Sequence, residues 1–191
     1  ADSAPVLLFD EIPGYPKGFR VLANLFGGKR KNMSLGFPVD LDKVALSEAF
    51  ADVYLADAPL IPPVEVADGP VFQNIVMGEA VDLEAFPAPI WHEKDGGRYI
   101  GTGSYNVTRD PETGWVNLGC YRLMLKDKRT VGHNVLFGHH AELHNRKYLA
   151  RGERMPMVMV LGGDPMTFLM GGSAVPEGVC EYDVVGRLRG R

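Results

Sequence analysis

The chain has 191 residues, of which 46% are hydrophobic and 23% are charged, as is usual for a globular protein of one large or two small domains. Its net charge of −4, without any block of basic residues, argues against nucleic acid as a partner. It contains no apolar run long enough to cross a bilayer and no signal peptide, so we expect a cytoplasmic protein with no membrane partner. Cys120 and Cys180 are too few for a disulfide framework or a four-thiolate zinc site, and we expect them to be buried or to line a site.

The first half of the chain is predicted to contain short elements separated by turns. In chain order they are a strand at 6–9, a turn at 14–19, a helix at 39–56 and two short strands around an Asp-Gly turn at 62–76. Asp40 or Asp42 is suitable as the N-cap of the helix. The prolines and glycines of residues 82–97 indicate a connector, so we predict one domain over residues 1–95 and a second over 96–191.

The second half is predicted to begin with a run of antiparallel strands joined by tight turns. The predicted strands are 98–110, 115–127, 130–137 and a buried strand at 155–163, and the predicted helices are 140–153, 164–172 and one beginning within 176–188. This order favours a mixed α+β fold with a β-barrel-like second half. Because the chain starts at Ala1 without a methionine and stops at Arg191 without a tail, we expect it to be cut from a longer polypeptide.

Three of the five histidines lie in FGHHAELHNRKYLARGE, residues 137–153. His140 and His144 are one helical turn apart and could bind a metal ion. However, Glu142 is one position too late for the H-E-x-x-H motif of zinc proteases, and most such pairs are imidazoles on a helix surface. The spacing alone therefore does not distinguish a metal site from a polar helix.

Two polar residues outside this helix extend the candidate set. Asn117 lies in the predicted strand segment NLGCYR, and Glu181 lies in PEGVCEYD. An amide oxygen, one imidazole and one carboxylate suit Mn²⁺ or Mg²⁺ better than zinc. Each also has an ordinary structural interpretation: Asn117 as a strand or turn residue, and Glu181 as a carboxylate favoured by a helix N-terminus.

Three segments of the second half carry a family resemblance. They are TRDPETGWVNLGCYRLMLKDKRTVGHN, HAELHNRKYLARGERMPMVMVLGGDP and VPEGVCEYDVVGRLRG. Taken together and in this order, they resemble the UbiD-type decarboxylases, which use prenylated flavin mononucleotide (prenylated FMN). The resemblance implies that the second domain is a split β-barrel like that of flavin reductases, preceded by part of a small α/β domain.

The resemblance also implies a ligand set. Asn117, His140 and Glu181 match the family residues that hold Mn²⁺ or Mg²⁺ against the flavin phosphate. The segment from Met170 to Ser173, which includes Gly171 and Gly172, matches backbone that holds K⁺ with help from the same glutamate.

Further residues match positions around the cofactor. Gly119, Cys120 and Tyr121 match the stretch that lies along the flavin, and His139 matches a position beside it. Arg122 matches the arginine that faces the substrate carboxylate in the acid–base network, although it could equally be a surface arginine. The glutamates that donate a proton in the family come from a segment beyond the one matching the end of this chain.

The implied activity is nonoxidative, reversible decarboxylation of an aromatic, in particular a phenolic, or an α,β-unsaturated acid. A flavin prenyltransferase would supply the cofactor, and we expect the protein to self-associate as a homo-oligomer. Two alternatives stay open. One is a non-catalytic flavin-binding or assembly subunit, and the other is an oxidoreductase of the flavin-reductase type that uses plain FMN.

Overall fold

The computed structural model describes residues 4–190, so Ala1 and Arg191, on which the expectation about the chain ends depends, lie outside the described residues. The strands are β1 (Leu7–Phe9), β2 (Val21–Ala23), β3 (Tyr99–Gly101), β4 (Ser104–Arg109), β5 (Val116–Gly119), β6 (Leu123–Leu125), β7 (Val131–His133) and β8 (Met157–Leu161). The helices are α1 (Lys29–Ser34), α2 (Lys43–Tyr54), α3 (His140–Ala150), α4 (Pro165–Gly171) and α5 (Glu181–Arg189). Short 3-10 turns occupy Pro70–Phe72, Gly78–Ala80 and Leu83–Ala85. Over residues 4–190, no helix combines the length and apolar character that a bilayer crossing requires.

The strands form three antiparallel sheets. β1 pairs with β2 in a hairpin, β3-β6-β7 form one three-stranded sheet, and β5-β4-β8 form another. The predicted mixed α and β composition is therefore confirmed. The strands of residues 4–190 do not close into a barrel, so the split barrel remains a prediction.

Two predicted strands are each divided between sheets. The segment 98–110 bends between β3 and β4, and the segment 115–127 breaks between β5 and β6. The second break is stabilised by Asn106 on β4, whose side-chain nitrogen donates to the carbonyls of Gly119 at 3.3 Å and Tyr121 at 3.2 Å. These bonds attach the chain to β4 on both sides of the point where it leaves one sheet and enters the other.

Two further predictions from the sequence are wrong. Residues 62–76 contain no strand, because the segment finds no partner and leaves apolar side chains such as Val64 and Val66 exposed. β8 is an edge strand rather than a buried one, since it pairs only with β4 and Val158 is 60% exposed. The remaining strand and helix predictions are confirmed with shifts of a few residues at their ends.

The main hydrophobic core lies between α4 and α5. Its buried members are Leu35, Met166, Met170, Val175, Val184 and Val185. Helix α2 packs against this core through Phe50 and Tyr54. Asp42 is the N-cap of α2, as predicted, and its carboxylate accepts from Val44 N and Ala45 N at 2.9 Å.

The C-terminal helix joins the two halves of the chain. The Arg187 guanidinium donates to the carbonyls of Tyr54 at 2.6 Å, and of Ala56 and Ala58 at 3.2 Å. These three bonds satisfy carbonyl groups at and beyond the end of α2. They hold α5 in place, and with it the residue at its N-terminus, Glu181.

A turn after β4 holds the strand against α3. The buried Asp110 carboxylate accepts from the backbone of Glu112 at 2.8 Å and Thr113 at 3.2 Å, and from Lys147 Nζ on α3 at 2.6 Å. Burial alone would raise the pKa of Asp110, but these bonds outweigh it and lower the pKa to about 2. Asp110 is therefore ionised at neutral pH and stabilises the contact between β4 and α3.

Candidate functional site

A cavity of about 380 Å³ opens where β5, the start of α3 and the connection from α4 to α5 meet. Its lining residues are Asn117, Leu118, Gly119, Cys120, Tyr121, Gly138, His139, His140, Gly171, Gly172, Ser173, Ala174, Val175 and Glu181. The set includes every predicted site residue except Arg122 and Met170. Three segments far apart in sequence therefore meet at one cavity.

Asn117 and His140 face each other within this cavity. Asn117 lies on β5 and is 2% exposed, and its Oδ1 lies 3.2 Å from Nδ1 of His140, the first residue of α3. Burial lowers the pKa of His140, so its imidazole is neutral at pH 7, which is the form that binds a metal ion.

Glu181 brings the negative charge of the site. It is the first residue of α5, is 2% exposed, and accepts a hydrogen bond at Oε2 from Leu118 N at 2.8 Å. Burial raises the pKa of Glu181 to about 7, against the lowering effect of the Leu118 N–H. A cation beside this carboxylate would therefore favour its ionised form.

A network of polar side chains lies behind the cavity. Asn117 Nδ2 donates to Thr108 Oγ1 at 3.3 Å, and Thr108 Oγ1 lies 3.0 Å from Nδ1 of His144. Thr108 is 1% exposed and His144 is completely buried. His144 is thus a core histidine rather than an imidazole on the helix surface, and it lies one turn beyond His140 on α3.

Trp115 holds both of these histidines in place. Its ring centroid lies 4.8 Å from those of His140 and His144, in edge-to-face contact with each. Its Nε1 donates to the Val179 carbonyl at 3.0 Å, just before α5. One aromatic side chain therefore connects β5, α3 and the approach to α5.

The backbone around the predicted K⁺ segment borders the cavity. Cys120 N donates to the Gly171 carbonyl at 2.9 Å, and Ser173 Oγ donates to the Leu169 carbonyl at 2.9 Å. A carbonyl oxygen has two lone pairs, so one such bond does not prevent cation binding. The K⁺ site stays a prediction.

Arg122 lies outside this cavity. Its exposed side chain borders a separate hollow of about 270 Å³ together with Trp91, His92, Asp95, Tyr99 and Thr102. The role predicted for Arg122 also stays a prediction. Among residues 4–190, no three His, Cys, Asp or Glu side chains cluster in a way that could hold a metal ion, so any site here depends on the amide of Asn117.

The sequence predictions did not include Thr108 and Trp115. One signal for Thr108 is present in the sequence: Ser104, Asn106 and Thr108 occupy alternate positions of β4. Such a polar face ordinarily points to solvent, but here all three residues are buried.

The profile of the UbiD family, described as the 3-octaprenyl-4-hydroxybenzoate carboxy-lyase Rift-related domain, matches residues 63–191. The chain is 38% identical over 130 residues to a pyrrole-2-carboxylic acid decarboxylase of Pseudomonas aeruginosa, an alignment that covers 68% of this chain and 26% of the relative. It is 33% identical over 194 residues to a phenolic acid decarboxylase of Escherichia coli O157:H7, with 98% of this chain and 40% of the relative covered.

Solved structures agree with these sequence relatives. The vanillic acid decarboxylase of Sedimentibacter hydroxybenzoicus in its closed form superposes with a TM-score of 0.87 at 26% identity, covering 97% of this chain and 40% of that one. The UbiD-class enzyme HmfF from Pelotomaculum thermopropionicum, in complex with FMN, superposes with a TM-score of 0.82 at 25% identity, covering 96% and 39%.

The fold and the sequence together define a domain of a carboxy-lyase family. The chain belongs to the UbiD family. It spans 26% and 40% of the lengths of the two sequence relatives described above.

Proposed function

We propose that this chain is the metal- and flavin-phosphate-binding part of a UbiD-type carboxy-lyase that decarboxylates an aromatic acid, reversibly and without net oxidation. The observation that carries the proposal is the approach of Asn117 Oδ1 and His140 Nδ1 to 3.2 Å in the cavity that Glu181 also lines. Similarity to decarboxylases of pyrrole-2-carboxylic and phenolic acids supports the reaction class.

The three side chains fit a hard divalent cation. Neighbouring ligands of an octahedral ion with bonds of 2.0–2.1 Å lie about 3 Å apart, close to the separation of the Asn117 and His140 donor atoms. The Glu181 carboxylate supplies the charge: burial raises its pKa to about 7, so a bound cation would favour the ionised form. Mn²⁺ or Mg²⁺ would meet this need, because one imidazole among two oxygen donors is a hard ligand set.

A phosphate would complete the coordination of such an ion. One carboxylate leaves a divalent cation with excess positive charge, which a phosphate can neutralise. Gly171 and Gly172 line the same cavity, and the similar enzyme HmfF is solved with FMN. When bound, prenylated FMN supplies a ring that accepts electron density as CO₂ leaves the substrate.

Arg122 would contribute outside the metal cavity. Its hollow also contains Trp91 and Tyr99, so it offers a fixed positive charge beside aromatic surfaces. That combination suits a planar aromatic carboxylate, since a guanidinium can bind both carboxylate oxygens. Because the pKa of an arginine lies above about 12, Arg122 would orient the acid but would not donate the proton.

Other expectations belong to the same proposal. They comprise the division into domains 1–95 and 96–191, the split barrel, the K⁺ at the Met170–Ser173 segment, a flavin prenyltransferase as cofactor supplier, a cytoplasmic location and self-association. α,β-Unsaturated acids remain within the proposed substrate class.

The proposal is tested by metal and flavin analysis of protein co-expressed with a flavin prenyltransferase. We expect bound Mn²⁺ and flavin absorbance, both strongly reduced in Asn117→Ala and unchanged in Asn134→Ala, which alters an exposed asparagine outside the cavity. CO₂ release from phenolic and pyrrole carboxylic acids tests the reaction itself. Flavin retention without metal, unaffected by Asn117→Ala, would favour the flavin-reductase alternative, whereas cofactor binding without turnover would favour the assembly subunit.

A further inference from the structure

Two buried side chains, Thr108 and His144, are linked by hydrogen bonds to the nitrogen end of the Asn117 amide, whereas its oxygen end faces His140. Thr108 Oγ1 accepts from Asn117 Nδ2 at 3.3 Å, and His144 Nδ1 lies 3.0 Å from the same hydroxyl oxygen. Neither residue lines the cavity.

An asparagine amide has two chemically different ends of nearly the same shape. With Oδ1 towards His140, Asn117 can share a cation with the imidazole. With the amide reversed, the NH₂ group would face the cation site, and an NH₂ group cannot bind a cation. Both orientations fill the same space, so packing alone does not select the useful one. Only hydrogen-bond partners can make the choice.

Thr108 can make this choice because its hydroxyl has a single proton. If that proton goes to Nδ1 of His144, the oxygen can only accept from Asn117, and the amide must present its NH₂ group to Thr108. If His144 instead carried its proton on Nδ1, the Thr108 proton would be free to bond a reversed amide. A His144 proton on Nε2 therefore selects one orientation of the Asn117 amide, whereas a proton on Nδ1 leaves both orientations possible.

We propose that Thr108 and His144 are positioning residues that hold Asn117 with its carbonyl oxygen towards His140, through a relay in which Thr108 donates to an unprotonated His144 Nδ1. The inference rests on the proposed metal-binding function and deepens it, since it explains how a neutral amide serves reliably as a ligand. Support from surrounding groups of this kind typically changes metal affinity by about 10- to 100-fold.

The surrounding structure fixes the relative positions of Thr108, Asn117 and His144. Thr108 and Asn117 are directly paired residues of β4 and β5, so their side chains meet without adjustment of the backbone. His144 shares α3 with His140, and Trp115 contacts both rings, which restricts their rotation. Complete burial of His144 removes water as a competing partner for its Nδ1, while its Nε2, which carries the proton in this relay, is buried without a hydrogen-bond partner among residues 4–190.

The test compares Mn²⁺ binding to wild-type protein and three variants by calorimetry. Thr108→Val keeps the shape and removes the hydroxyl, so the dissociation constant for Mn²⁺ should rise about 10- to 100-fold. Thr108→Ser restores the hydroxyl and should bind within about threefold of wild type. Thr167→Val is the matched control, because it removes another buried threonine hydroxyl, one that bonds Asp164 instead of Asn117.

Nuclear magnetic resonance provides a readout without metal. In wild-type protein, the His144 ring should show an unprotonated, hydrogen-bonded Nδ1 and a protonated Nε2. The Asn117 side-chain amide protons should exchange slowly in wild type and faster in Thr108→Val. The wild-type spectrum alone shows which nitrogen of His144 carries the proton. The proposal can therefore be tested even if Thr108→Val does not fold.

The outcomes separate this inference from the proposed function. If wild type and Thr108→Val bind Mn²⁺ equally, or if Thr167→Val weakens binding as much as Thr108→Val, the positioning role is wrong while the metal site stands. If wild type binds no Mn²⁺, the proposed function fails. The spectra then still show whether Thr108 donates to an unprotonated Nδ1 of His144. A proton on Nδ1 of His144 in wild type would overturn the relay under either condition.

Discussion

Substitution of Gly119 tests the close packing of Tyr121 against β5 in the wall of the cavity. It is the last residue of β5, and a Cβ added to it would lie under 3.0 Å from two ring atoms and the hydroxyl oxygen of Tyr121, closer than real Cβ contacts come. The Tyr121 ring is itself enclosed, with His133 and His139 in edge-to-face contact at 5.4 and 5.8 Å. Gly119→Ala must therefore push the ring out of a packed position.

The expected magnitude follows from opposing effects. Replacing glycine by alanine within a strand should stabilise by about 0.5–1 kcal/mol through reduced chain entropy. Overpacking costs about 1–3 kcal/mol, and each aromatic contact that Tyr121 loses costs roughly 0.5–1.5 kcal/mol more. We therefore expect Gly119→Ala to lower the free energy of unfolding by about 2 kcal/mol. Because Tyr121 lines the cavity, the proposed flavin binding should weaken as well.

A double-mutant cycle, in which the free energy of unfolding is measured in urea, isolates the contact between the new Cβ at position 119 and Tyr121. Tyr121→Leu removes the ring atoms that meet the new Cβ, so Gly119→Ala should be neutral or stabilising in that background. The expected coupling energy is about 2 kcal/mol. Gly103→Ala is the control, because a Cβ there meets nothing within 4 Å and should change little. An equal cost of Gly119→Ala in both backgrounds would refute the reasoning.

Two further predictions concern the scaffold. In Gly186→Ala, the higher helix propensity of alanine should stabilise α5 by about 1 kcal/mol, but the new Cβ would meet the backbone of Ile61 at under 3.0 Å. We therefore expect the free energy of unfolding in urea to fall by roughly 1–3 kcal/mol. Greater stability of the variant would contradict this packing. Asp110→Asn loses the ionised partner of Lys147 and should cost about 1–2 kcal/mol at pH 7. Since the pKa of Asp110 is lowered from 3.8 to about 2, the stability that its carboxylate contributes is present above pH 3.8 and is lost as the pH falls through 2. The difference between Asp110→Asn and wild type should therefore vanish near pH 2, and a cost independent of pH would argue against the ion pair.

The parts of the fold that sequence reasoning predicted are those with local causes. Helix α2 has apolar residues at helical spacing and a capping carboxylate at Asp42, and both signals lie within a few residues of the bonds they make. The turn at Asp110 is equally local, since its carboxylate binds the backbone two and three residues further on. Such elements need no knowledge of the rest of the molecule.

The errors arose where distant partners decide the structure. Residues 62–76 have strand-like alternation but no neighbouring strand, and alternation without a partner does not make a sheet. On β4 the polar side chains of Asn106 and Thr108 point inward, because they bond Gly119, Tyr121 and His144. No local pattern distinguishes this face from a solvent-exposed one.

The candidate site likewise depends on contacts between residues that are far apart in the sequence. Its three proposed ligands were assigned from a family resemblance, and spacing alone left His140 ambiguous. Structure adds the reason that they meet: the bond from Leu118 N to Glu181 brings together residues 63 positions apart in the chain. That separation in sequence lies beyond any periodicity, so residue spacing alone could not place Glu181 beside Asn117.

The placement of helix ends around the cavity gives a physical reason for a paired cation and anion there. His140 and Glu181 are the first residues of α3 and α5, so both helices direct their positive N-terminal ends at the cavity. Gly171 ends α4, so that helix contributes its negative C-terminal end and its carbonyl oxygens. Two N-termini favour an anion such as a phosphate, while the carbonyls, the Asn117 oxygen and the Glu181 carboxylate favour a cation. A lone cation would face the two positive helix ends, and a lone phosphate would face the carboxylate, so the arrangement is best satisfied when a metal ion and a phosphate bind together.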